Sequence, residues 1–196
     1  MGSRRVKTCI QGLSIHTLNA HSIAASAAND FIKEFPKRFD FLLLQESFRN
    51  KPDHFMLEGC FIFMGEPIVN PVRTRLPISI VVAPQHVHNI LHDTFVQKGC
   101  AIGVAVNVGD QNLFLVSASL DPYANFEDYE NSIFDVKFVL SMKPVNSVIA
   151  IGIDAQTAIG VPPDVDPNLI GKFSAPPVGV LGEWKSPFFL GVCLGA

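Results

Sequence analysis

Four oxygen-bearing residues stand at the ends of apolar runs: Asn19 after Leu13–Leu18, Glu46 after Phe39–Leu44, Ser119 after Leu113–Ala118, and Asp154 just beyond Val148–Ile151. Two carboxylates with a side-chain amide form a donor set for a hard cation such as Mg²⁺. That ion takes oxygen ligands at about 2.0–2.1 Å and keeps water or phosphate in its remaining positions. The chemistry such a set serves is phosphate-ester hydrolysis. A plainer reading stands beside it, since every strand must end in something polar.

These residues can act together only if the chain brings the strand ends to one place. The spacing predicts a strand over Leu13–Leu18, then a helix from a Ser22 cap through Ile23, Ala27, Phe31 and Phe35 to Pro36. Phe39–Leu44 is almost continuously apolar, as a strand covered on both faces must be. This strand, helix, strand unit opens an α/β fold. Short runs follow at Cys60–Met64, Ile78–Ala83, Ala101–Val108 and Leu113–Ala118, the last two separated by a hairpin turn at Gly109, Asp110, Gln111 and Asn112. Glu127–Met142 carries Ile133, Phe134, Val136, Phe138 and Val139 at mixed helical spacings, Pro144 ends it, and Val148–Ile151 begins another buried strand. In open α/β sheets ligands bind at the carboxyl ends of the strands, where all four residues fall. From Gly152 onward Gly and Pro are dense and no periodicity survives. The chain therefore reads as a single domain over 1–196, regular over 1–151 and mostly loop over 152–196.

The 196 residues are 48% hydrophobic and 17% charged, which excludes a disordered or coiled-coil chain and permits a real core. A net charge of −3 argues against holding nucleic acid by bulk charge, so a polyanion partner requires a local patch or a metal. Cys9, Cys60, Cys100 and Cys193 contain no C-x-x-C pair. They make neither a zinc knuckle nor a redox motif and suit a reducing compartment, cytoplasmic or nuclear. The basic start Arg4, Arg5 and Lys7 is followed by no apolar h-region, and no run reaches the roughly 18 residues of a membrane helix. Neither a secretory signal nor a membrane partner is expected.

Three segments, Thr17-Leu18-Asn19-Ala20, Phe39-Asp40-Phe41-Leu42-Leu43-Leu44-Gln45-Glu46-Ser47 and Ile149-Ala150-Ile151-Gly152-Ile153-Asp154-Ala155-Gln156, resemble in order and spacing the endonuclease/exonuclease/phosphatase superfamily. The second is similar to its D-x-x-x-L-Q-E segment. The third is similar to the G-D-F-N-A box as it varies in endonuclease domains of retrotransposons lacking long terminal repeats. The resemblance implies a two-sheet α/β sandwich that cleaves phosphodiesters or phosphomonoesters with Mg²⁺ or Mn²⁺. By it, Asn19 and Glu46 hold the metal, and Asp154 positions the attacking water or supports the leaving oxygen. It further implies DNA or another phosphodiester as substrate, and a reverse transcriptase domain in the same polyprotein as a partner.

The departures from that pattern are specific. Gln156, one methylene longer, stands where the family has the Asn that orients substrate, a displacement that matters where positioning is tight. Ser119 stands where His or Tyr contacts phosphate, and a hydroxyl donates more weakly than an imidazolium. The family closes with S-D-H, but the last histidine here is His92. The sequence is then expected to be a fragment lacking that motif or a degenerate copy, with a general-base contribution of roughly 10²–10⁴-fold at stake. A non-catalytic interaction module and a phosphatase on a small phosphoester are the alternatives. A sandwich missing its last motif is also expected to be marginally stable and prone to associate.

Other suggestive residues have plainer readings. His86, His88 and His92 could place two imidazoles on one face, but only Asp93 is nearby to complete a metal set, so they read as exposed loop histidines. Gly99-Cys100-Ala101-Ile102-Gly103 lacks the G-K-[ST] of a phosphate loop and reads as the start of a strand. Arg49, three residues past Glu46, is either a phosphate contact or part of a solvated rim; Lys51, Arg73 and Arg75 read as rim. The 16 Phe are core material, not a stacking platform.

Overall fold

Alternation along the apolar strands decides the layering. In the computed structural model, residues 12–19, 30, 32–37, 39–47, 54–69, 74–75, 77–120, 126–154 and 190–194 are described. One five-stranded sheet has the order β1 (Ile15–Asn19), β2 (Phe41–Gln45), β7 (Ser79–Val82), β4 (Cys60–Met64), β3 (Phe55–Leu57). The other runs β12 (Leu190–Leu194), β11 (Ser147–Asp154), β10 (Gln111–Ser119), β9 (Ala101–Val108), β8 (Ile90–Lys98). A two-stranded ribbon pairs β5 (Ile68–Val69) with β6 (Thr74–Arg75). Each large sheet contains one parallel pair, β1 with β2 and β10 with β11, and parallel neighbours need a crossover of a dozen residues or more, usually helical.

The odd residues of β2, Phe41 and Leu43, join Phe63, Ile80 and Val82 in facing Ile102, Val104, Val106, Leu113, Leu115 and Ala150 of the other sheet. Burying these two faces against each other makes an α/β sandwich. The even residues, Leu42 and Leu44, face outward and are covered by Ile32 and Phe35. On the other flank Val136 and Val139 of the Phe126–Ser141 helix cover Ala101, Ala105, Phe114, Val116, Ala118 and Ile151. Hence Phe41–Gln45 is buried at every position, as its unbroken apolar run requires. The mixed spacing of the Phe126–Ser141 helix resolves into two faces: Val136 and Val139 point inward, while Phe134 (60% exposed) and Phe138 point to solvent, as does Met142 just past its end.

Most predicted strands lie where the periodicity puts them. The helix expected from Ser22 is helical at residues 32–34 and tightens at Phe35–Lys37, and its earlier part lies outside the described residues. The hairpin turn is shorter than expected. Gly109, at φ 62°, and Asp110 complete it, because Gln111 already pairs with Val108. Strand β8 was not expected: in ILHDTFVQK the polar run His92-Asp93-Thr94 splits the apolar residues, and its pairing to β9 shifts register between Leu91 and Val96. Such a sequence suits a sheet edge, where no continuous apolar face is needed. Regular structure also extends past residue 151, since β11 runs to Asp154 and β12 pairs antiparallel beside it. Within the stretch read as mostly loop, residues 155–189 lie outside the described ones.

One buried hydroxyl, Ser147 Oγ at the start of β11, has no hydrogen-bond partner among the described residues. Leaving a buried donor unpaired costs about 1–3 kcal/mol. Ser147→Ala is therefore expected to leave stability unchanged or raise it by about 1 kcal/mol. A urea titration checks this, and a loss of stability would mean the hydroxyl has a partner.

Candidate active site

Where the two sheets meet, a side-chain amide joins their carboxyl ends. Gln45, fully buried, donates from Nε2 toward Ser117 Oγ at 3.1 Å, Thr17 Oγ1 at 3.2 Å and the Gly152 carbonyl at 3.3 Å. Ser117 Oγ in turn donates to the Leu44 carbonyl at 3.0 Å. This polar knot ties together β1, β2, β10 and β11, the two parallel pairs. It sits in a close approach of backbones that only glycine permits, because a Cβ at Gly152 would meet Thr17 and lie 2.9 Å from Leu43 Cβ.

The residues singled out by type follow directly from this knot. Asn19 lies two positions past Thr17, Ser119 two past Ser117, Asp154 two past Gly152, and Glu46 one past Gln45. In the parallel registers Asn19 stands opposite Gln45 and Ser119 opposite Asp154. The two-residue period of a strand puts Ser119 and Asp154 on the same inner face as Ser117 and Gly152. Asn19, Glu46, Ser119 and Asp154 thus gather at one end of the sandwich. Asp154 is 1% exposed, and its carbonyl accepts from the Leu120 N–H at 2.8 Å, joining the β10 and β11 exits. Gln156 and Arg49 lie outside the described residues, as do Lys51 and Arg73.

Glu46 has the most distinctive backbone of the four. A strand continued past Gln45 would send its next side chain to the opposite sheet face, but at Glu46 the chain turns left-handed, φ 49°, and the strand stops. For a residue with a Cβ that conformation costs about 1–2 kcal/mol and recurs at functional sites. Its neighbours hold it: Gln45 is in the knot, and Ser47, also fully buried, bonds the Pro77 carbonyl through both N–H and Oγ at 2.8 Å. Thr17, Gln45, Ser117 and Gly152 are the residues that reasoning from strand ends missed. Their signal was present in the sequence, a polar residue or glycine one or two places before each terminal oxygen.

Among the described residues no group of three His, Cys, Asp or Glu side chains stands together as a metal-ligating cluster. Mg²⁺ does not demand one, since one or two carboxylates plus substrate oxygens suffice. Two carboxylates at converging strand ends, with a side-chain amide residue and a hydroxyl beside them, fit that ion. They do not fit a soft thiolate-binding metal.

Of the three central histidines, His88 and His92 are exposed as expected, and His86 is not. His86 and His88 lie in a 3₁₀ segment, Pro84–Asn89, and His92 lies on β8. His86 is half-buried, stacks on Phe41 with ring centroids 4.8 Å apart, and places Nε2 2.8 Å from Asp40 Oδ1. An Asp–His pair therefore exists, but at the amino end of β2, six residues and roughly 20 Å of strand from Glu46. It cannot serve as the missing base.

Asp40 is a structural clamp instead. Burial tends to raise its pKa, but hydrogen bonds from the Ser14 N–H, His86 and Gln85, with the His86 charge, hold the carboxyl below its ordinary 3.8. A lowered folded pKa gives stability that is fully present above about pH 4 and lost as pH falls through the folded value. Asp40→Asn is expected to cost about 1–3 kcal/mol at neutral pH and to flatten acid unfolding below pH 4. Urea titrations at pH 6 and pH 3 check this, and an unchanged acid limb would exclude the clamp.

The sequence matches no protein-family model and no curated protein. Its fold does match solved structures. An endonuclease/exonuclease/phosphatase family protein from Leptotrichia buccalis C-1013-b superposes with a TM-score of 0.51 at 11% identity, over 72% of this chain and 66% of that one. The endonuclease domain of TRAS1, a telomere-specific non-LTR retrotransposon, gives 0.48 at 18% identity, over 74% and 61%. A 3′ phosphatase, NExo, from Neisseria, bound to product DNA hairpin, gives 0.47 at 13%, over 74% and 58%. The chain has the endonuclease/exonuclease/phosphatase fold and spans about three-fifths of the length of these structures. No described helix is long and apolar enough to cross a membrane.

Proposed function

We propose that the carboxyl-end cluster is a phosphate-ester hydrolysing site that acts on phosphodiesters, with DNA as the expected substrate. The observation that carries this reading is the meeting of Glu46, Asp154, Ser119 and Asn19 at one end of the sandwich, immediately beyond the Gln45 knot. Glu46 and Asn19 would hold Mg²⁺ or Mn²⁺, which when bound supplies Lewis acidity and neutralises charge on the phosphate. Asp154, held in a nearly dry position, orients the attacking water or supports the leaving oxygen. Ser119 donates its hydroxyl to a phosphate oxygen, Gln156 orients the substrate, and Arg49 supplies a cationic contact. Low solvent access at Asp154 strengthens its interactions.

The test is plasmid nicking in Mg²⁺ against chelator. Metal-dependent nicking that disappears in Glu46→Gln and in Asp154→Asn supports the reading, and nicking unchanged by both substitutions overturns it. A second reading, a binding module of the same fold that has lost turnover, is favoured by one fact: among the described residues the exits of β1, β2, β10 and β11 carry no histidine. Calorimetry separates the two. Glu46-dependent metal and phosphate binding without nicking marks the module, and neither binding nor nicking removes both readings. A phosphatase would instead prefer a small phosphomonoester over DNA in direct competition.

A further inference from the structure

The Gln45 amide makes no contact with solvent and is not an expected ligand, yet every strand that leads to the cluster passes through it. Its Nε2 reaches Ser117 Oγ, Thr17 Oγ1 and the Gly152 carbonyl at 3.1–3.3 Å, and Thr17 Oγ1 lies 3.3 Å from its Oε1. A buried amide with this many partners is more than a filler. An apolar side chain of the same size would leave Ser117 Oγ, Thr17 Oγ1 and the Gly152 carbonyl short of a partner, and unpaired buried groups are costly.

The consequence lies one residue further on. Glu46 occupies a left-handed conformation, φ 49°, between two anchored neighbours, Gln45 in the knot and Ser47 on the Pro77 carbonyl with its hydroxyl also bonded to Ser79 Oγ. Conformations of this kind persist only where the surroundings over-determine them. The same amide fixes Gly152, two residues before Asp154, and through Ser117 the strand that ends in Ser119. We infer that Gln45 is a positioning residue: one buried amide locks Glu46 into its left-handed turn and sets its distance to Asp154 across the two sheets. This rests on the reading of the cluster as a cation-binding phosphate site. It adds that the two carboxylates are aligned by a shared hydrogen-bonding group rather than by their own strands separately.

The experiment uses the full chain and Mn²⁺ alone as probe, with binding read by electron paramagnetic resonance. In parallel, NMR coupling constants report the φ angle of Glu46. Gln45→Met is expected to weaken Mn²⁺ binding at least tenfold and to release Glu46 from the left-handed region. Adding Gln45→Met to Glu46→Gln should weaken binding no further than Glu46→Gln alone. Ser117→Ala, which removes one acceptor of the amide and leaves Gln45 in place, should give a smaller loss in the same direction and guards against a Gln45→Met chain that fails to fold. Leu113→Ala, a core truncation at the far end of β10, should destabilise the chain yet bind Mn²⁺ as the parent does. Parent-like affinity and a left-handed Glu46 in folded Gln45→Met would overturn the inference, as would an equal loss of affinity in Leu113→Ala. If the parent binds no Mn²⁺ the phosphate-site reading fails, and the Glu46 φ angle alone then decides the positioning role: retained in Gln45→Met, it overturns the role; lost, it supports it.

Discussion

Gly152→Ala is expected to destabilise the chain by about 3 kcal/mol, toward the upper end of what an added methyl costs in a packed core. The reason is where the methyl would go. It would collide with the Thr17 hydroxyl and lie 2.9 Å from both Thr17 Cβ and Leu43 Cβ, atoms rooted directly on β1 and β2. Neither can swing aside without moving a strand, so the sheets must part at the knot that aligns the site. Gly103 is the natural comparison. A methyl there would lie 2.6 Å from Phe114 Cζ and 2.8 Å from Val139 Cγ1, the ends of side chains rather than Cβ atoms of neighbouring strands. Gly103→Ala should cost less than Gly152→Ala although both glycines sit in central strands. Thr17→Ala combined with Gly152→Ala removes the nearest obstruction and should recover part of the loss, a non-additivity expected of neighbours in contact. Urea unfolding of the parent, Gly103→Ala, Gly152→Ala, Thr17→Ala and the double variant measures all of this. Equal costs at Gly103 and Gly152, or strict additivity with Thr17→Ala, would remove the close approach as the explanation.

The part of this architecture that the sequence disclosed is the part encoded in contiguous runs. Phe41–Gln45 and residues 101–106 are buried on both faces, so their apolar continuity identified them as central strands. Asn19, Glu46, Ser119 and Asp154 could be singled out because parallel crossovers bring carboxyl ends together, a rule of topology that needs no knowledge of contacts. The edge strand β8 escaped because an edge needs no apolar face, and its register shift further breaks the period of two. The Asp40–His86 pair joins residues 46 apart, and no local pattern announces such a contact. The knot was half visible. Thr17, Gln45 and Ser117 each interrupt an apolar strand with a polar group, a conflict between local pattern and burial that marks a functional or structural exception.

What no pattern could have announced is the conformation of Glu46, since Glu is not a residue that favours positive φ. It supplies the second large expected effect, in which stability and activity move in opposite directions. At an ordinary exposed position Ala is more stable than Gly by about 0.5–1 kcal/mol, because Gly loses more freedom on folding. At position 46 the order should invert. Glu46→Ala and Glu46→Gly both discard the carboxylate, so the difference between them isolates the backbone, and at φ 49° the Ala Cβ carries a cost that Gly avoids. Glu46→Gly is expected to be more stable than Glu46→Ala by about 1 kcal/mol, a difference of about 2–4 °C in Tm for a chain of this size. On the proposed function both variants should lose metal-dependent cleavage by at least about 10²-fold, since a ligand is gone and a reacting group is left misplaced. Calorimetric melting of the two variants beside the parent, with nicking measured on the same preparations, checks both halves. If Glu46→Ala proves the more stable, the left-handed turn is not strained. If Glu46→Gly cleaves like the parent, the strain is real but serves something other than presenting this carboxylate. A strained conformation kept on a carboxylate that Gly would relieve is otherwise hard to explain, because selection for stability alone would have removed it.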